Sequence, residues 1–205
     1  MKKVESDTEA LFYIKLGRES TYNFIDLLYR TDWQFEKKTP EGIKMYSLKN
    51  GVGGDSSGSY VRIETKFGQV TVQELLEYFT DIDKRLAWEN NYYASLEPIR
   101  AYPLKTSMYY GKLAQKRGQA AKDSLIITHG VSIKGNREYL SCLSVEHSEY
   151  PPEKKVQRVY TALHSNYFEP TTDGKGVKNI LIAQMQTQSP GENALSRSFT
   201  KEGLN

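Results

Sequence analysis

Apolar residues recur at helical spacing in two parts of the chain. The first thirty residues carry such a pattern on both sides of Gly17, and we expect this glycine to divide them into two helical segments. The second pattern runs from residue 71 to residue 90. A single helix there would place Trp88 on its polar side, so we predict a break near Asp83. This aspartate would then cap a second short helix that turns Trp88 inward.

Most of the remaining chain shows the short alternating patterns of β-strands, separated by Gly, Pro, Asn or Asp turns. The predicted strands cover residues 32–38, 42–48, 60–67, 94–103, 105–115, 123–133, 137–148, 154–170 and 178–188. A last short helix is predicted from Asn193. Helices followed by a long antiparallel run indicate an α+β fold. Because the 205 residues contain neither a repeat nor a linker, we expect residues 1–205 to form a single domain.

Charge and cysteine content narrow the class of protein. The net charge is +3, which is too weak for a nucleic-acid-binding domain but compatible with brief contact with an anionic membrane surface. Cys142 is the only cysteine, so an intrachain disulfide is excluded and a reducing compartment is expected. No apolar run approaches the roughly 18 residues of a membrane-spanning helix. We therefore expect a cytoplasmic protein, and we expect it to be monomeric.

Five stretches in a fixed order, spread over nearly the whole chain, carry a resemblance to a known family. They are "DWQ…EGIKMY", "DIDKRLAWE", "AKDSLIITHGV", "LSVEHSEYPPEKKVQRV" and "MQTQSPG". With them the sequence resembles the START domains, the lipid-transfer modules related to steroidogenic acute regulatory protein. The pattern is nearest to the members that carry phosphatidylcholine or ceramide. Lys122, Ser124, Gln188 and Ser189 depart from the family's motifs.

The resemblance implies a helix-grip fold. In this fold a curved antiparallel sheet of about nine strands wraps around a C-terminal helix and leaves an internal apolar cavity. The implied function is non-enzymatic: the protein holds one lipid, a phospholipid in first place, and transfers it through transient contact with membranes. Such a carrier has to offer a dry cavity, since a two-chain lipid buries roughly thirty methylenes at about 0.8 kcal/mol each. No catalytic residue, cofactor or metal is implied.

The resemblance also implies ligand-binding residues. Arg85 takes the position at which a phosphatidylcholine-carrying member places an arginine on the lipid phosphate, and Glu89 replaces the acidic partner of that arginine. Guanidinium suits phosphate because it presents several fixed donors and keeps its charge. Tyr110 matches one aromatic residue of a cage that would hold choline by cation–π attraction. On spacing alone, the i, i+4 pair of Arg85 and Glu89 favours a solvated salt bridge on a helix surface.

Three smaller residues bear on the kind of lipid. Thr128 aligns with a buried arginine of sterol-binding members, and its small hydroxyl is closer to the ceramide carrier. Cys142 aligns with an amide side chain of that carrier, so this match is partial. Ser144 belongs to the matched "LSVEHS" stretch. We expect a site of modest polarity, and sterol or ceramide sensing is an alternative to phospholipid transfer.

A second class of function stays open from the residues alone. A cyclase-like or hydrolase-like enzyme on the same fold would need a general acid or base inside the cavity. The candidates are His129, His147 and His164, which we interpret as separate histidines rather than as a zinc site. Asp123 and Arg158 are predicted to form a structural salt bridge between strands rather than a catalytic pair.

Overall fold

The computed structural model describes residues 2–48, 58–115 and 118–186. This part of the chain contains the helices α1 (Lys2–Leu28), α2 (Val72–Thr80) and α3 (Ile82–Trp88). Its strands are β1 (Gln34–Lys38), β2 (Lys44–Leu48), β3 (Gly58–Gly68), β4 (Tyr93–Tyr102), β5 (Thr106–Leu113), β6 (Ala121–Ile133), β7 (Arg137–Ser144), β8 (Val156–Arg158), β9 (His164–Pro170) and β10 (Gly176–Gln186). The helix predicted from Asn193 lies outside the described residues.

The strands form one large curved sheet, which confirms the α+β prediction. Nine strands follow the order β1-β2-β3-β10-β9-β7-β6-β5-β4, and all neighbours along this path are antiparallel. The short β8 runs parallel to β6. The strand predicted over residues 154–170 is therefore divided into β8 and β9. The division is necessary because β9 pairs with β7 instead, so the chain has to cross between strands after Arg158.

Helix α1 is continuous through Gly17, so the prediction of two segments was wrong. A Cβ atom on Gly17 would lie 2.6 Å from the Cβ of His129 on β6. The glycine is thus required for the close approach of the helix to the sheet, and this need outweighs its low helix propensity. Thr21 follows one turn later and shares a hydrogen bond of 2.9 Å with the Ser141 hydroxyl on β7.

The second helical region breaks at Asp81, not at Asp83 as predicted. Asp81 ends α2 in an extended conformation, and its carboxylate accepts a hydrogen bond from the Lys84 N–H at the start of α3. The break therefore comes two residues early, and Trp88 does not turn inward. Its ring packs edge-on against Phe79 and stays 47% exposed, while its Nε1 donates to the Tyr78 carbonyl.

The strand register gives the sheet an outer and an inner face. The outer face carries Met108, Leu125 and Ile127, which pack against Tyr13 and Ile14 of α1. The inner face carries the alternate residues of the same strands. Helices α2 and α3 lie on the inner face, where Leu75 packs against Leu140, Phe168 and Val177. Within the described residues, no helix is long and apolar enough to span a membrane.

Candidate functional site

Helix α3 places Arg85 and Glu89 against the inner face of the sheet. Ile82 and Leu86 of this helix pack on a cluster of Tyr93, Leu96 and Leu113, which anchors α3 on β4 and β5. Arg85 is buried in consequence, and its side chain is only 9% exposed. The solvated salt bridge that the spacing alone allowed is therefore not what forms.

The pair is held by one hydrogen bond, from Arg85 Nε to Glu89 Oε2 at 2.7 Å. The guanidinium carbon also lies 5.4 Å from the centre of the Tyr93 ring, within cation–π range. Among the described residues, no oxygen accepts a hydrogen bond from the terminal nitrogens Nη1 and Nη2 of Arg85. In the described part of the chain, the side-chain polar atoms that are fully buried and have no hydrogen-bond partner are the hydroxyls of Ser20, Ser124 and Ser165. The two Arg85 nitrogens are not among them. One edge of the guanidinium thus faces accessible space.

Electrostatics keep Arg85 charged in this enclosed place. Burial opposes the charge and is the largest single influence, but the Glu89 carboxylate together with Tyr93 and Cys142 outweighs it and raises the pKa of Arg85. Burial acts on the neighbouring neutral groups in the opposite sense. It raises the pKa of the Cys142 thiol to about 11 and the pKa of Tyr92 to about 12. The site therefore holds one ion pair among groups that are neutral at pH 7.

Three adjacent strands add a row of small polar side chains on the inner face. Thr128 on β6 lies opposite Cys142 on β7. The β7–β9 register pairs Leu140 with Asn166, so Cys142 and His164 are the next inner-face residues of the two strands. Arg85 acts electrostatically on both Cys142 and His164, which places the row within reach of its charge. The row and the ion pair form one polar region, here called the inner polar site.

No protein-family model and no curated protein matches this sequence. Solved structures do match it. Human StAR-related lipid transfer protein 5 superposes with a TM-score of 0.75 at 12% identity, covering 92% of this chain and 88% of its own. Human STARD10 superposes with a TM-score of 0.70 at 15% identity, covering 85% of this chain and 69% of its own. A fragment of a STAR-related lipid transfer protein from Xanthomonas axonopodis superposes with a TM-score of 0.60 at 17% identity, covering 81% of this chain and 87% of its own. The chain has the START fold.

Of the six ligand-binding residues predicted from the sequence, four lie together in the structure and two do not. Arg85, Glu89, Thr128 and Cys142 come together in the inner polar site. Ser144 lies on the same face, but its hydroxyl accepts from the Thr161 N–H at 2.7 Å and so serves the connection to β9. Tyr110 lies on the outer face.

The surroundings of Tyr110 are those of a packed residue. Its ring belongs to the cluster that packs against α1, and its hydroxyl donates to Asp123 Oδ2 at 3.0 Å. Antiparallel pairing with Leu125 fixes this side of the strand. The structure therefore does not bring Tyr110 together with Arg85.

Two further residues lie next to Arg85 but were not among the predicted ligand-binding residues. Tyr93 underlies Arg85 at the start of β4, and the close packing of its ring against Gly111 could have been inferred only with the strand register known. His164 was noticed, but only as one of three separated histidines. Its imidazole is partly buried, and its pKa is lowered to about 4 by burial and by the charge of Arg85. It is therefore neutral at pH 7.

The interpretation of the three histidines as separate is consistent with their positions in the START fold. His129 lies on the outer face against Gly17 and shares a hydrogen bond of 2.8 Å with Thr106. His164 lies on the inner face, and His147 follows β7. Within the described ranges, no cluster of His, Cys, Asp and Glu has the geometry to hold a metal ion.

The predicted salt bridge between Asp123 and Arg158 is confirmed. Arg158 Nε donates to Asp123 Oδ1 at 2.7 Å and Nη2 donates to Oδ2 at 3.0 Å. Nη1 and Nη2 each donate to the Tyr150 carbonyl at 3.3 Å. Asp123 accepts the Tyr110 hydroxyl as well, so this pair is saturated by protein partners.

Proposed function

We propose that this chain binds one lipid at the inner face of its sheet and transfers it between membranes without covalent chemistry. The observation that carries the proposal is Arg85, a buried and charged guanidinium that donates to the described part of the chain through Nε alone. A buried charge with unused donors is costly unless a ligand or water completes it. The likeness of the fold to lipid transfer proteins supports the same conclusion.

We further propose a phospholipid as the ligand, with its phosphate on Nη1 and Nη2 of Arg85. Two parallel N–H donors of one guanidinium match two phosphate oxygens, and such a bidentate contact is stronger than a contact with a single lysine ammonium. Glu89 balances the charge of Arg85, so the ion pair has no net charge. A zwitterionic phospholipid, which is also neutral overall, therefore matches the site electrostatically. Thr128, Cys142 and His164 would provide weaker polar contacts beside the phosphate.

His164 is an argument for an internal space beside the inner polar site. The residue is only partly buried by accessible surface, yet protein surrounds it closely enough to lower the pKa of its imidazole to about 4. The two observations agree if the accessible part of the ring faces a space inside the molecule. We infer that the acyl chains occupy this space along the apolar residues of the inner face, which include Leu140 and Phe168.

Transfer requires the protein to meet a bilayer, so we propose transient contact with the membrane surface by a protein that otherwise stays in the cytoplasm as a monomer. The lipid, not a cofactor, is the group that the fold would hold. No step in this function calls for a general acid or base, and the neutral His164 is assigned a hydrogen-bonding role only.

The decisive experiment is mass spectrometry of lipids that the purified protein extracts from mixed liposomes. The liposomes would contain phosphatidylcholine, an anionic phospholipid, ceramide, diacylglycerol and a sterol. We expect phosphatidylcholine to be recovered, and we expect Arg85→Gln to lower its recovery about tenfold, which is the effect of losing one strong polar contact. Arg85→Lys keeps the charge but loses the planar fork, so its recovery should be intermediate.

Arg62→Gln is the matched control, because Arg62 is also partly buried and ion-paired, to Glu64 at 2.6 Å, but lies on the outer face. Its lipid recovery should equal that of the wild type. Recovery of ceramide or sterol alone would replace the phospholipid assignment while keeping lipid binding. Recovery of no lipid from any liposome would contradict the proposed function as a whole.

A further inference from the structure

A second concave site lies on the opposite side of the sheet from the inner polar site. It is a cleft of about 450 Å³ between α1 and the chain that follows β7. Its lining combines aromatic rings, two prolines and two carboxylates, and includes Tyr13, Glu146, His147, Tyr150, Pro151 and Tyr160. The proposed lipid function makes no use of any of these residues.

The walls of the cleft are rigid and aromatic. The Tyr13 ring is stacked between Tyr102 and His147, at centroid distances of 5.5 and 6.1 Å, and its hydroxyl donates to the Glu146 carbonyl at 2.7 Å. His147 lies in turn 5.9 Å from the Tyr150 ring. Because these aromatic side chains pack against one another, the cleft is preorganised in the absence of a ligand. Preorganisation reduces the entropic cost of binding.

Negative charge is in excess around the cleft. Among the described lining residues, the arginine is Arg158, whose charge Asp123 already balances through two hydrogen bonds. Glu9 is engaged by Arg100 at 2.6 Å and by the Tyr102 hydroxyl at 2.5 Å, with His147 Nε2 at 3.5 Å. The Glu146 carboxylate is exposed and makes no hydrogen bond or ion pair with the described residues. Its charge is thus available at the rim.

We propose that this cleft binds an organic cation, a guanidinium or alkylammonium group on a short apolar stem. The faces of Tyr150 and Tyr160 would contact the cation and its stem, and Glu146 would pair with its charge. Aromatic faces beside a carboxylate favour such cations over neutral or anionic groups. The cation can belong to an arginine or lysine side chain of a protein partner or to a free small molecule.

The first test is an NMR titration of the full chain with N-acetyl-arginine amide, N-acetyl-lysine amide and N-acetyl-citrulline amide. Citrulline has the shape of arginine without its charge. We expect the two cationic probes to shift the signals of Tyr150 and Tyr160, and we expect citrulline to bind about tenfold more weakly. Equal binding of arginine and citrulline, or no shift with either cation, would overturn the proposal.

Two variants connect the binding to the cleft. Glu146→Gln and Tyr160→Leu alter exposed side chains, so both should keep the melting temperature of the wild type and lower the affinity for N-acetyl-arginine amide several-fold. Glu97→Gln removes an exposed carboxylate on β4 outside this lining and should change nothing. An affinity that neither cleft variant alters would place the cation elsewhere and refute the site.

A last arm separates the two sources of the cation. Lengthening the probe to a pentapeptide with arginine at its centre should raise the affinity about tenfold if the natural ligand is a protein segment, because neighbouring residues then contact Pro151 and the rim. Unchanged affinity would indicate a free small cation. Lipid extraction by Tyr160→Leu should stay normal in either case, so this proposal and the proposed lipid function can fail independently.

Discussion

Two buried arginine–carboxylate pairs lie on opposite sides of the same sheet and differ in how far they are satisfied. On the outer face, Arg158 uses Nε, Nη1 and Nη2 on protein oxygens, and its partner Asp123 is 1% exposed. On the inner face, Arg85 donates to the residues that the structure describes through Nε alone, on a carboxylate that is 13% exposed. The first pair ties β6 to β8 within one saturated network. In the second pair, Nη1 and Nη2 of Arg85 can still donate hydrogen bonds, and a ligand could accept them.

The surroundings of the two pairs differ in the same way. The outer face is covered by α1, and Thr21 of this helix shares a hydrogen bond with Ser141 across the contact. On the inner face, Thr128, Cys142 and His164 lie beside an ion pair. A buried polar group that has a protein partner stabilises the fold, whereas one with unused hydrogen-bonding capacity destabilises it until a ligand binds. Substitutions in the two regions should therefore have different consequences.

The largest effect is expected at Asp123. Asp123→Ala leaves Arg158 charged and without its main partner in a buried place, and breaking such a pair costs about 3–5 kcal/mol of stability. The measurement is the free energy of unfolding in urea. Replacing both partners, in Asp123→Leu combined with Arg158→Met, should recover part of the loss, because no uncompensated charge remains. A loss below about 1 kcal/mol in Asp123→Ala would show that water reaches the pair.

The next largest effect on stability is expected at two glycines. One contacts a side chain of the outer face and the other a side chain of the inner face. A Cβ on Gly17 would lie 2.6 Å from the His129 Cβ, and a Cβ on Gly111 would lie 2.6 Å from the Tyr93 ring. Gly17→Ala should cost about 1–2 kcal/mol of stability, since overpacking exceeds the gain of about 1 kcal/mol in helix propensity. Lipid extraction by the folded fraction should be normal.

Gly111→Ala should behave differently, because the side chain it displaces is the ring beneath Arg85. We expect a similar loss of stability together with a several-fold loss of phosphatidylcholine extraction per folded molecule. Urea unfolding and lipid mass spectrometry on the same samples separate the two effects. Loss of extraction in Gly17→Ala, or normal extraction in Gly111→Ala, would contradict the division into a structural and a binding face.

A smaller effect on stability is expected at Glu89. Glu89→Gln removes the partner of Arg85 but leaves Nη1 and Nη2 facing accessible space, so the loss should be about 1 kcal/mol, well below that of Asp123→Ala. The charge of Arg85 is then unbalanced, and recovery of the anionic phospholipid from mixed liposomes should rise relative to phosphatidylcholine. An unchanged ratio of the two lipids would place the headgroup away from Arg85.

The strands of this fold could be predicted from the sequence, whereas the faces of the sheet could not. Alternation of apolar and polar residues located the strands within a few residues of their bounds. It could not tell which set of alternate residues faces α1, because both sets contain apolar side chains. The resemblance led to the prediction of Tyr110 as a headgroup-binding residue, and alternation could not correct it, although Leu125, its partner on β6, packs against the helix.

The errors in the helices have a similar origin. Gly17 looks like a breaker in the sequence, and its actual role depends on His129, more than a hundred residues away. Asp81 and Asp83 are both plausible helix caps, and only the packing of Ile82 on β4 decides between them. The pair of Arg85 and Glu89 could be predicted from spacing, but its burial depends on that same packing.

The smallest effect is a dependence of stability on pH through His164. Its pKa is lowered to about 4 in the folded protein, whereas an imidazole in the unfolded chain titrates near 6.5. Between these values the unfolded chain binds the proton and the folded protein does not, so the contribution of His164 to stability falls as pH is lowered from about 6.5 to about 4. Above about 6.5 this contribution is constant. Melting temperatures of the wild type and His164→Asn should therefore converge with increasing acidity, while the carboxylates and His129 contribute equally to both proteins. Parallel curves over this range would show that a protonated His164 is tolerated, and the enclosed hollow inferred beside it would then have to be open to water.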